Sequence, residues 1–103
     1  MKLRWTHGAR DDLMAIAEFI AKDNESAARR WIQRLRRQAE RAIRLPRSGR
    51  MVQEFGRSDL REFIHSGYRI VYLVRESDVV VVSVFEGHRG LRLTEADMRT
   101  ADE

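Results

Sequence analysis

Cysteine is absent from this sequence. That excludes disulfide scaffolds, thiol catalysis and cysteine-based zinc sites. Proline occurs once, at Pro46, and lysine twice, at Lys2 and Lys22. No tyrosine follows Tyr72. No apolar run approaches the ~20 residues that cross a bilayer, so no membrane association is expected. Met1-Lys2-Leu3-Arg4-Trp5 lacks the apolar stretch and small-residue cleavage site of a signal peptide, and a cytoplasmic protein is the expectation. Internal repeats and low-complexity segments are absent too.

The chain of 103 residues is 43% hydrophobic and 35% charged, which suits one globular domain. Eighteen of its twenty basic residues are arginine. Between residues 24 and 50, nine arginines face only Glu25 and Glu40, while the last quarter of the chain is acidic. Arginine's planar fork pairs bidentately with carboxylate or phosphate, so an acidic partner fits this bias. A solvated helix face is the plainer reading of the same arginines.

Leu3-Arg4-Trp5 reads as a short opening strand. Thr6 is a candidate N-cap, with Asp11 and Asp12 suited to the first turns of the helix that follows. Ala9, Leu13, Ile16, Ala17 and Ile20 recur at helical spacing, with Met14 and Phe19 off that stripe. Asn24 offers a second cap. Ala28, Trp31, Ile32, Leu35, Ala39, Ala42 and Ile43 mark one arc of a longer helix, and Trp31 shares the phase of its core. Arg29, Arg30, Arg34, Arg36, Arg37, Arg41 and Arg44 fill the other arc. Pro46 stops this helix, and Ser48-Gly49 makes a turn.

From there the period changes. Met51–Phe55 is a candidate short strand. Leu60–His65 and Tyr68–Arg75 flank a tight Ser66-Gly67 turn, and Val79–Phe85 is the most β-prone run, expected inside a sheet. Thr94 is a candidate cap for a short terminal helix. The order is therefore a strand, an αα-hairpin and a meander of three or four strands. This predicts an α+β fold: an N-terminal strand and αα-hairpin packed on a mostly antiparallel sheet of three or four strands.

These segments together resemble the ParE/RelE superfamily of bacterial toxins from type II toxin–antitoxin operons. The resemblance covers roughly residues 3–90. Trp5-Thr6 with Ala9 and Asp12-Leu13 is similar to the family's opening, and Pro46 with Gly49-Arg50 to its "P..GR" turn. Leu60-Arg61-Glu62-Phe63 resembles its "vRel" strand. Tyr68-Arg69-Ile70-Val71-Tyr72 resembles "yRivY", and Val82–Val84 with His88-Arg89 its closing "v..v.H.R". The resemblance implies a single toxin domain over 1–103, with 93–103 a flexible or helical tail. It also implies neutralisation by a small cognate antitoxin, hence a hetero-oligomer.

Two branches of the superfamily carry different activities. The sequence is more like ParE, which implies plasmid stabilization or growth arrest through DNA gyrase, a ParD-like antitoxin and no bond hydrolysis. Met14, Phe19, Arg30, Arg34, Arg37 and Arg41 are then candidate antitoxin contacts. Arg61, Arg69, His88, Arg89 and Arg92 are candidate target contacts. The alternative is a RelE-like endonuclease that cleaves mRNA on the ribosome. Such chemistry needs a base, an acid and cations around the phosphorane, for which Arg61, Arg69, His88 and Arg89, with Glu54, are the candidates. Arg61 and Arg69 flank the Ser66-Gly67 turn, so neighbouring strands are expected to bring them together. Plainer roles compete: Arg61 ion-paired with Glu62, Arg69 laid along its strand, His88 a surface residue. The resemblance to RelE-like nucleases implies a tyrosine or a His-Tyr pair near the C-terminus and several lysines near the site, and this sequence departs from both, which disfavours the nuclease. A third reading is an arginine-rich nucleic-acid-binding module. His7 and His65 have no partners at ligand spacing, so no metal or cofactor is expected.

Overall fold

The computed structural model describes residues 1–87 together with Leu93 and Met98. The elements run β1 (Lys2–Trp5), α1 (His7–Ala21), α2 (Glu25–Arg44), β2 (Arg50–Met51), β3 (Leu60–His65), β4 (Tyr68–Val74) and β5 (Asp78–Glu86). Both helix starts are capped as their sequences dictate. Thr6 Oγ1 accepts from the Ala9 N–H at 3.0 Å, and Asn24 Oδ1 from the Ala27 N–H at 2.9 Å.

The strands form one five-stranded sheet in the order β1-β5-β4-β3-β2. Neighbours from β5 to β2 are antiparallel, while β1 runs parallel to β5. The meander thus has four strands, and the opening strand adds a fifth at its far edge. The β3–β4 turn has two residues, Ser66 at φ 48° and Gly67 at φ 85°. Paired positive φ values are the type I′ pattern, whose twist suits a hairpin. The expected strand over Met51–Phe55 shrinks to Arg50–Met51, because the chain turns away at Val52 and crosses Gly56 at φ 61°.

Both faces of the sheet are covered. Ala9 and Leu13 of α1 and Leu35, Ala39 and Ala42 of α2 pack on Phe63, Ile70, Tyr72, Val79, Val81 and Val84. The opposite face gathers Val52, Leu60, Val71, Leu73, Val80 and Val82 under Leu93 and Met98. A strand buried on both sides needs no polar alternation, which explains the unbroken valines of β5. One irregularity shifts its phase: Tyr72 pairs with Val81 and Val71 with Ser83, so Val82 is an extra residue.

Asp12 serves this irregularity rather than the start of α1. Its carboxylate accepts from the Val84 N–H at 2.9 Å and the Ser83 Oγ at 3.4 Å, fastening the helix to β5. The first turn of α1 holds no acidic residue.

Candidate functional site

The two strand arginines do not converge. The two-residue turn sets Arg61 opposite Tyr72 and Arg69 opposite Ile64. Because side chains alternate along a strand, Arg61 shares the helix-covered face with Tyr72. Arg69 lies on the other face. The expectation that the hairpin brings them together is corrected by this register. Each side chain is also engaged. Arg61 donates to the backbone carbonyls of Ser58 at 2.9 Å and Gly49 at 3.1 Å, and makes no pair with Glu62.

Arg69 is 7% exposed and sits between two carboxylates. It donates to both oxygens of Glu62, at 2.5 and 3.0 Å, and to both oxygens of Glu54, at 3.0 and 3.1 Å. Glu62, 2% exposed, takes a further bond from Arg50 at 3.1 Å. The Arg69 guanidinium also lies 5.2 Å from the centre of the Phe85 ring. Its fork holds Glu54 below the usual carboxylate range. In return Glu54, then Glu62, keep Arg69 more firmly protonated than usual against the opposing effect of burial. This is a clamp that ties the 52–59 loop to the sheet.

A second anchor fixes the turn after α2. The buried Tyr72 hydroxyl donates to the Pro46 carbonyl at 2.8 Å and accepts from the Gly49 N–H at 3.0 Å. A Cβ on Gly49 would fall 2.3 Å from that hydroxyl and 2.8 Å from the Glu62 carbonyl oxygen. Only glycine fits there. Burial raises the Tyr72 pKa.

The outward arc of α2 carries Arg29, Arg30, Arg34, Arg36, Arg37, Arg41 and Arg44, on its solvent side. Arg41 lies 4.6 Å over the Phe63 ring and bonds Gln38 at 2.8 Å. The other six make no ion pair among the described residues. Trp31 is half-buried, its ring 5.7 Å from His65 and 5.8 Å from Tyr68.

Met14 and Phe19 are 61% and 67% exposed, as their phase predicts. Five positions apart, they stand ~140° from each other around α1, so they flank its core stripe instead of forming one patch. An apolar groove absent from the sequence-based expectations holds about 480 Å³ between Met1, Leu45, Pro46, Arg47, Ser48 and Val74. Its signal in the sequence is faint: Leu45 breaks the helical stripe one residue before the proline.

His88, Arg89 and Arg92 lie outside the described residues, as does the Thr94 cap. Among the described residues no three His, Asp or Glu side chains converge as metal ligands. Nor, among them, is any helix long and apolar enough to cross a membrane.

An αα-hairpin over one face of a mixed sheet defines the class of this molecule: a small two-layer α+β domain. The chain belongs to the family described as ParE toxin of type II toxin-antitoxin system, parDE, whose model matches residues 3–90. Its fold is similar to a solved chain of the "Chromosomal ParDE TA system from P. aeruginosa". The match has a TM-score of 0.69 and 17% identity, covering 84% of this chain and 95% of that one. No curated protein matches the sequence.

Proposed function

We propose that this toxin acts by inhibiting DNA gyrase, without hydrolysing a bond, and is neutralised in the cytoplasm by a ParD-like antitoxin. The observation that carries this reading is the fate of Arg69. A cation that would stabilise a phosphorane must face substrate. Arg69 is instead sheathed by Glu54, Glu62 and Phe85, and Arg61 leaves the opposite face. In this reading Arg61, His88, Arg89 and Arg92 meet the target, and Arg69 contributes by positioning the 52–59 loop.

The antitoxin contacts Met14, Phe19 and the row Arg30, Arg34, Arg37 and Arg41. Because the two apolar anchors flank α1, a segment touching both must wrap the helix, as a chain that folds on binding does.

Purified toxin added to gyrase and relaxed plasmid is expected to block supercoiling while leaving RNA intact. Ribosome-dependent cleavage of mRNA, with supercoiling untouched, would establish the endonuclease instead.

A further inference from the structure

Five arginines of α2 form a ladder. Arg30, Arg34, Arg37, Arg41 and Arg44 follow one another at alternating steps of four and three, the spacing that keeps residues on one helix face. At 1.5 Å per residue the ladder is ~21 Å long. Arg29 and Arg36 add a short second row beside it.

Three features give this surface a direction. Like charges at these spacings repel, so the bare helix carries a cost that an anion would remove. The only acidic residues of α2, Glu25 and Glu40, make no ion pair with these arginines among the described residues. The positions beside the row, Ser26, Gln33 and Glu40, are polar or acidic, so the row itself carries no apolar anchor; the exposed apolar residues Met14 and Phe19 stand on α1. Four rungs, Arg30, Arg34, Arg37 and Arg44, make no ion pair among the described residues, while Arg41 is turned onto Phe63 and Gln38; this cationic row, opposed by the single carboxylate of Glu40, matches a row of phosphates. Its length spans about six base-pair steps at 3.4 Å each.

We propose that the arginine ladder of α2 binds the phosphate backbone of duplex DNA, without reading its sequence. The toxin would thereby be held on the duplex when no antitoxin covers the ladder. The proposal shares Arg30, Arg34, Arg37 and Arg41 with the antitoxin reading and makes the two ligands competitors. It does not depend on gyrase being the target.

The test is fluorescence anisotropy of a labelled 20-bp duplex of arbitrary sequence, titrated with the whole chain at several salt concentrations. The logarithm of affinity is expected to fall linearly with the logarithm of salt. In R30Q/R37Q/R44Q the magnitude of that slope should drop by about 3, near 0.9 for each phosphate no longer neutralised. Glutamine keeps helix propensity and removes repulsion, so the variant should melt no lower than the parent. No binding at low salt, or an unchanged slope in the variant, overturns the proposal. So does tighter binding of polyglutamate than of the duplex, which would make the ladder a site for acidic protein. A chain that binds DNA yet leaves supercoiling untouched would refute the gyrase reading alone.

Discussion

At the scale of single residues, Tyr72 and Gly49 are one device. Tyr72→Phe strands the Gly49 N–H and the Pro46 carbonyl, and is expected to cost about 1–3 kcal/mol in urea denaturation. Gly49→Ala should cost more alone, and its effect should not add to that of Tyr72→Phe, since removing the hydroxyl relieves one of its close contacts. Arg69→Ala leaves Glu62 buried with Arg50 alone, an expected loss of about 3–5 kcal/mol. Replacing both partners, Arg69→Met with Glu62→Leu, should recover much of it. Acid acts on Glu54 of this clamp and on a second carboxylate. Asp78 is held below its ordinary value of 3.8, first by the Arg75 fork and then, more weakly, by Arg4. A carboxylate with a depressed folded pKa stabilises the fold above its unfolded value, and that contribution fades as pH falls through the folded one. Urea midpoints should therefore decline below about pH 4, less steeply in Asp78→Asn.

At the scale of elements, much of the fold was legible. Thr6 and Asn24 announced the helices because a cap is a local hydrogen bond, and the stripe from Ala28 to Ile43 announced the buried face of α2. Local rules also held at Ser66-Gly67, where φ is positive at both residues. Gly67→Ala meets no atom within 4 Å, so its expected cost is that of the backbone alone, about 1–2 kcal/mol. Ser66→Asn, better suited to positive φ, should raise the melting temperature slightly. What escaped was parity and distance. A two-residue turn already implies that Arg61 and Arg69 face opposite ways, and the diagonal from Arg69 to Glu62 follows from the same register. That signal lies in the pairing of the strands, about which charge type says nothing. Asp12 is different: its partner Val84 lies 72 residues away at an irregular strand, and nothing local foretells it.

At the scale of the whole molecule, the sheet has a core on each face, and the second depends on residues that follow β5. Leu93 and Met98 are 8% and 5% exposed over Val80 and Val82. Leu93→Ala or Met98→Ala is expected to lose about 2–5 kcal/mol, and a chain ended after Gly90 should bind a hydrophobic dye that the full chain does not.

The parallel pairing of β1 with β5 also has a temporal consequence. Arg4 reaches Asp78 across 74 positions at 3.4 Å, so a segment made early by the ribosome docks on a strand made much later. Until then Lys2–Trp5 has no neighbour to pair with, and the helices have only part of their floor. A nascent copy thus stays incomplete until the valines of β5 have emerged. Non-local closure of this kind is slow, so the sheet is completed only after release of most of the chain.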